Sequence, residues 1–454
     1  VSIEVSVQPA PATIPQPTTR IVGQIVALAA PLALGACVLS VLNLGTLALL
    51  SRYDQSGALH MMSVLQPAFF LVIALMEGLS VTNQVFAART KQSLPKGSLW
   101  NSSRVFAITG LLLLCCLAAA GYGVQRVLGE RAGTWLPTLI ELPLAVLSMA
   151  AFVIFEVYHG ALRGRGRVLL GLLPFAAAAV ISLGTTYFLL TRHQLGFDAV
   201  LLGNLVGPLV MLPLVVFLVH REARGGETLP VPQLYGKLRG LLANVGGPVF
   251  FSILIASASA AVLFPVLDRF GKDEVSAFLI VIRLRIAFMI PAVAAGSAIA
   301  ILANQSLDEH SNHGQSVRPL TVGLLFVIAL YLLATLIMAL IPGVAVDAIV
   351  PQQTAELNDR SIRLLLLLLP TFFLLPCAIC MQIILEQVGD GLKVLLLTIL
   401  VELSTIAAVL FVVQDQRSIE HICYILIASS AAMFIAFLVR LRMLSRRWEV
   451  ERVV

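Results

Sequence analysis

Twelve runs of apolar residues, each long enough to cross a lipid bilayer, constrain this chain more than any other feature. A helix covers the hydrocarbon with roughly 20 residues, and within it a backbone satisfies its own hydrogen bonds only as a helix or a closed barrel. The runs occupy 21–50, 59–88, 105–127, 136–162, 168–190, 200–220, 241–267, 275–304, 317–341, 362–385, 392–413 and 419–439. Hydrophobic residues make up 59% of the 454 and charged residues 12%, with a mean hydropathy of +0.96. That balance lies outside the range of soluble domains, so the predicted class is all-α integral membrane. The stretches left over are too short for a folded soluble domain. Residues 1–20 carry Pro9, Pro11, Pro15 and Pro17, which block a regular helix and predict a disordered tail.

The runs are written as two sets of six. Pro31 opens an apolar segment that recurs at Pro248, 217 residues later, and Gly78 in the second run maps to Gly296 in the eighth, 218 residues later. A spacing held across two landmarks predicts a duplicated unit, with two six-helix bundles related by a pseudo-twofold axis along the membrane normal. The expected division is a tail at 1–20, one bundle at 21–220, a connector at 221–240, a second bundle at 241–442 and a basic tail at 443–454.

Charge reports topology. With alternate loops assigned to opposite sides, the set containing both termini holds 19 Lys and Arg and the other set 9, while Arg283 and Arg285 lie inside the eighth run. Positively charged loops stay in the cytoplasm, so both termini and the connector are expected there. The net charge of +6 is thereby an orientation signal, not a sign of nucleic-acid binding. No GxxxxGK[ST] phosphate loop occurs, which excludes a nucleotide-driven pump on this chain alone. No convergent nucleophile, base or metal-ligand set points to an enzyme, and neither cofactor nor metal is expected. All six cysteines lie in apolar runs as small hydrophobes; Cys377 and Cys380 form a CxxC without a second ligand pair.

Several segments, in order, resemble the multidrug and toxic compound extrusion (MATE) transporters of the multidrug/oligosaccharidyl-lipid/polysaccharide flippase superfamily. They are Pro31 with Asn43 and Leu44, GLSVTNQVFAAR at the end of the second run, ALRGRGR at 161–167, GGPVFF at 246–251, IRLRIAFMIP at 282–291 and LEQVGDG at 385–391. The resemblance implies a central cavity between two bundles and export of a small amphipathic organic compound by alternating access. It further implies antiport with a cation, H⁺ before Na⁺, by a monomer in the inner (cytoplasmic) membrane. Where many members of that family carry an Asp three residues after the Asn of the first span, this chain has Thr46; the Asn and Asp of the fifth span align with Ser182 and Thr186. The acids of the seventh and tenth spans align with Ile255 and Leu375. A flippase for a lipid-linked or lipopeptide substrate in the same superfamily is the competing reading. Loss of the acids and retention of Arg283 and Arg285 favour it, because a phosphate-bearing substrate wants cations along its path.

An ionisable side chain deep in a bilayer costs about 2.5–3.5 kcal/mol on insertion scales. Glu77, Glu402 and Glu156 are therefore the candidate ion-coupling residues, because a carboxyl out of water keeps its proton until water reaches it. The alternative for each is a neutral acid hydrogen-bonded to a neighbouring helix. Arg283 and Arg285 are two positions apart, about 200° around a helix, so at most one faces a central cavity. Asn43, Thr46, Ser182 and Thr186 complete the candidate substrate pathway; the alternative is local bonding to their own helix backbones.

The orientation has a direct check. In a cysteine-free background, a single Cys placed in the 221–240 connector should react with an impermeant thiol reagent only after the membrane is opened; labelling of intact cells would reverse the assignment.

Overall fold

The structure, a computed structural model, describes residues 17–53, 57–91, 96–128, 136–267, 270–306, 314–347, 354–414 and 418–450. The tail before residue 17 lies outside these. Helices account for nearly everything described. The first half contains α1 (Thr18–Tyr53), α2 (Ala58–Arg89), α3 (Ser98–Leu128), α4 (Leu136–Ser148), α5 (Ala150–Gly164), α6 (Val168–Phe188, continued by a π turn to His193) and α7 (Phe197–Ala223). A short α8 (Val231–Leu241) and a π turn lead into α9 (Gly247–Leu267). Then come α10 (Lys272–Ser306), α11 (Gly314–Leu340), the short α12 (Pro342–Asp347), α13 (Ala355–Leu385), α14 (Gly391–Gln414) and α15 (Ile419–Val450).

Eleven helical segments are long and apolar enough to cross a membrane, and one of them, Ala355–Val412, is 58 residues long. Gly389 breaks it, at φ 105, a backbone angle that glycine adopts without a Cβ penalty. The result is twelve spans, six in each half, with α4 and α5 together forming the fourth. That span departs from the single helix expected over 136–162, because the chain turns at Met149 just beyond Pro143. The connector is also more ordered than its polarity suggested: α7 runs to Ala223 and α8 begins at Val231, with Leu234 and Leu238 buried. Likewise α15 continues through the expected basic tail to Val450.

The outer surfaces match a lipid environment. Leu112, Val180, Leu332, Leu400 and Phe411 are each at least 59% exposed, an apolar exterior suited to acyl chains and not to water. The cores lie inside the bundles. One apolar cluster joins α2, α3, α5 and α7 through Phe86, Phe106, Phe155 and Val219. Two others occupy the second half, around Ile299, Met381 and Phe437 and around Phe278, Phe372 and Ile422. The halves cross reciprocally. The first span packs on the eighth, with Ile21 and Ile25 in the Ile299 cluster. The seventh packs on the second, with Val245 and Val249 against Val81 and Val85. This reciprocity is what the pseudo-twofold arrangement requires. Leu441 and Trp448 share the cluster with Ile21, so the start of α1 and the end of α15 lie on one face of the molecule.

Small residues set how closely the helices approach, the usual device where lipid supplies no hydrophobic drive for helix association. In the GALRG sequence of α5, a Cβ on Gly160 would stand 2.5 Å from the Ser80 carbonyl oxygen, and one on Gly164 would stand 2.1 Å from that of Gln84. Those separations press α5 onto α2. In α7 a Cβ on Gly203 would meet Thr186 Oγ1 at 2.1 Å, and one on Gly207 would meet Ser182 Oγ at 2.1 Å.

Gly164→Ala should therefore destabilise the purified protein by about 1–3 kcal/mol, the range for overpacking a tight contact. Gly123→Ala, where nothing lies within 4 Å, should leave thermal unfolding in detergent unchanged or slightly raise its midpoint; equal melting of the two variants would contradict the packing.

Candidate functional site

Among the described residues, polar side chains gather in several places, and Asn43, Thr46 and Ser182, expected on the substrate pathway, share the first of them. The first is a cavity of about 240 Å³ inside the first bundle, between α1, α2, α5, α6 and α7. Asn43, Thr46 and Ser182 line it, joined by Ser63, Gln66 and Asn204. The rest of the wall is apolar, with Phe69, Phe70, Phe152 and Phe175 among the contributors, and no charged residue takes part. Thr46 Oγ1 donates to the Leu42 carbonyl at 2.8 Å, which ties its hydroxyl to its own helix. Thr186 does not line the cavity; it is buried under Gly203, with Oγ1 3.4 Å from the Ala199 carbonyl. Asn43 and Gln66 are exposed, so amides border a largely apolar wall. Such a wall suits an amphipathic guest with a flat apolar body.

Directly behind Phe175 lies the second place, an ionic cluster between α2 and α5. The His159 ring stacks on Phe175 with centroids 5.5 Å apart and planes 12° from parallel. Its Nδ1 is 3.1 Å from Glu156 Oε1, and Arg163 Nη2 is 3.3 Å from Glu156 Oε2. Arg163 Nη2 also donates to Ser80 Oγ at 2.6 Å, while Ser80 Oγ donates to the Glu156 carbonyl at 2.8 Å. Glu77, one turn earlier on α2, lies within electrostatic reach of Arg163 and Glu156. Sequence spacing separated Glu77 from Glu156 by 79 residues, yet both belong to one cluster. Ser80, His159 and Arg163 were not legible as its members. A signal existed in FEVYHGALR, where Glu156, His159 and Arg163 recur at helical spacing.

The third place is in the second bundle. Glu402 on α14 accepts a hydrogen bond from Ser259 Oγ of α9 at 2.7 Å and lies within electrostatic reach of Arg285 on α10. The Arg285 Nε has no hydrogen-bond partner. Arg283 is exposed, so the two arginines do diverge as helical geometry demands.

The fourth place is the seam between the bundles, on the face where α1 starts and α15 ends. Gln84 Nε2 donates to Gln387 Oε1 at 3.0 Å. Arg89 donates from Nε to Asn304 Oδ1 at 2.9 Å and from Nη2 to the Val388 carbonyl at 3.0 Å. Lys91 Nζ donates to Gln305 Oε1 at 3.0 Å, and Gln305 Nε2 donates to the Gly164 carbonyl at 2.8 Å. Beside the seam, the buried Glu386 accepts from Ser252 Oγ at 2.8 Å and from Gln382 Nε2 at 3.0 Å. Glu386 is an acid that the sequence reading passed over, although it stands in the LEQVGDG motif. The seam had a written signal too: an Asn-Gln pair ends the second span at Asn83 and Gln84 and the eighth at Asn304 and Gln305. Among the described residues no group of three metal-ligating side chains occurs.

No family model matches the sequence, and no curated protein does. Solved structures do match in fold. A transporter of the MOP superfamily from Pyrococcus furiosus Vc1 (DSM3638), described as having a binding pocket of reversed polarity, superposes with a TM-score of 0.80 at 16% identity. The match covers 96% of this chain and 99% of that one. An outward-facing multidrug resistance MATE family transporter of the MOP superfamily gives 0.79 at 16% identity, over 96% and 99%. A MATE structure in a bent conformation gives 0.79 at 16% identity, over 97% and 100%. Along nearly its whole length, this chain has the fold of the MATE transporters of the MOP superfamily.

Proposed function

We propose that the protein is a secondary transporter that exports an amphipathic organic compound by alternating access, in antiport with protons. The observation that carries this reading is the seam. Five side-chain hydrogen bonds hold the two bundles together on the basic face, which the charge count assigns to the cytoplasm. They shut that face while the cavity lined by Asn43 and Ser182 stands above it. A neutral hydrogen bond contributes about 0.5–1.5 kcal/mol net and one to a charged group about 1.5–3 kcal/mol. Two neutral bonds and three donated by Arg89 and Lys91 are strong enough to define a closed state and weak enough to be opened in a transport cycle.

Proton coupling rests on Glu77 and Glu402, one in each bundle, with Glu156 as the partner that fixes the first cluster. Phe175 lines the cavity and stacks on His159 of that cluster. A guest that displaces Phe175 moves His159, and with it the contact between His159 Nδ1 and Glu156 Oε1. The energetics are adequate: one charge moved through about 100 mV supplies roughly 2.3 kcal/mol, enough for about a 50-fold gradient of a neutral guest. The competing reading, a flippase for a lipid-linked substrate, is favoured by the arginines of α10. Arg285 keeps an unpartnered Nε in the second bundle, and a phosphate group would satisfy it.

Two experiments address this. In proteoliposomes with an imposed pH or Na⁺ gradient, efflux of ethidium, norfloxacin and carboxyfluorescein should identify the class of guest. Glu77→Gln and Glu402→Gln should each cut pH-driven transport of that guest about tenfold or more while leaving its binding intact, because Gln resembles the protonated acid in size and hydrogen bonding. Full pH-driven transport by the double variant would end the proton proposal. For alternating access, a disulfide between Gln84→Cys and Gln387→Cys in a cysteine-free background should stop transport, and reduction should restore it; undiminished turnover of the cross-linked protein would show that the seam does not open.

A further inference from the structure

The basic face holds a second pocket, apart from the cavity of the first bundle. It measures about 360 Å³ and is lined by Lys91, Lys96, Arg165, Gly166, Arg167 and Glu222. Four cations thus face one carboxylate, and that carboxylate is engaged: Arg167 Nε lies 3.2 Å from Glu222 Oε1. Three positive charges are left without a counter-charge in the pocket.

Arg165 is the unusual member. It is only 6% exposed, and Nη1 donates to the Thr90 carbonyl at 2.9 Å. Its Nε and Nη2 are buried without any hydrogen-bond partner. Those two nitrogens form the side-on edge of the guanidinium, the fork that grips two oxygens of one anion. Leaving such donors buried and unpaired costs about 1–3 kcal/mol or more. A protein keeps them unpaired where a ligand completes the bonds. The backbone is shaped around the place: Gly166 turns at φ 77, which puts Arg165 and Arg167 on either side of a tight bend. Burial, then Arg165 and Arg167, lower the affinity of Lys91 for its proton, with Glu222 opposing. Burial pushes Arg165 down to about 10, Glu222 again opposing. The Lys91 shift reports neighbouring cations, and the Arg165 shift reports a guanidinium held out of water.

We propose that this pocket binds a phosphate group, with the Nε, Nη2 edge of Arg165 taking two phosphate oxygens and Lys91 and Lys96 supplying the remaining charge. The shared chemistry is a phosphate mono-anion or dianion, either free or as the headgroup of an anionic lipid at the membrane surface. The pocket adjoins the seam, because Lys91 Nζ also donates to Gln305 Oε1 of the second bundle. A bound phosphate is therefore held where the two bundles meet. The inference stands independently of what the cavity carries.

The test uses the full chain and two sources of phosphate. In detergent, inorganic phosphate titrated against chloride at constant ionic strength should raise the thermal midpoint saturably. In nanodiscs, phosphatidic acid added to phosphatidylcholine should do the same. Response to the first probe assigns free phosphate, and response to the second alone assigns a lipid headgroup. Arg165→Gln should weaken the response about tenfold or more, as expected for loss of a charge-assisted fork. Since Arg165 is buried, Lys96→Gln with Arg167→Gln is the companion variant; both side chains are exposed, so folding should persist while affinity falls. No response to either probe, or an unaltered response in the Lys96→Gln/Arg167→Gln variant, would overturn the site.

Discussion

Contact between helix backbones through glycine is the interaction on which the rest of this structure depends. With lipid outside, apolar side chains gain little by leaving it, so helices associate where their surfaces fit. α2 is the element most fully fitted. Gly160 and Gly164 bring α5 against it on one side. On the other, a Cβ on Gly78 would lie 2.8 Å from the Gly246 carbonyl, so the seventh span meets it there. Held from both sides, α2 presents Glu77 and Ser80 to α5 and Gln84 and Arg89 to the second bundle. A small residue lost at either contact would rotate or displace all four.

That arrangement also explains how a chain this apolar houses buried charge. Glu156 is paired with both His159 and Arg163, Glu386 is bonded by Ser252 and Gln382, and Arg440 forms a bidentate pair with Asp390. Each partner comes from the same bundle, so these groups can stay satisfied while the bundles move. The bonds that cross between bundles are of another kind. Four of the five involve an amide side chain, and the remaining one links Arg89 to a backbone carbonyl. Breaking them exposes no unpaired carboxylate, which keeps separation of the bundles inexpensive relative to breaking a buried ion pair.

The cavity and the ionic cluster share one aromatic wall. Phe152 and Phe175 stack at 6.3 Å, and His159 stacks on the far side of Phe175. Charge is absent from the cavity wall and concentrated one ring away from it, around Glu156. Neutral Thr46, at a position where many members of the resembling family carry an Asp, fits that arrangement.

The sequence by itself determined the twelve spans, their doubling and the basic face, because bilayer thickness and hydropathy act on each run locally and charge acts on each loop. It also marked Glu77, Glu156 and Glu402 as costly, since depth in a span is readable from position alone. The break of the fourth span at Met149, the helix in the connector and the continuation of α15 were decided by packing that no local pattern carries. So were the partners of every buried polar group. Gln84 meets Gln387 across 303 residues, Glu77 joins Glu156, and Arg165 is left with an open fork. These depend on how each helix is rotated about its axis, and that rotation is set by which small residues on one helix find room against another, a relation between distant segments that only the tertiary structure fixes.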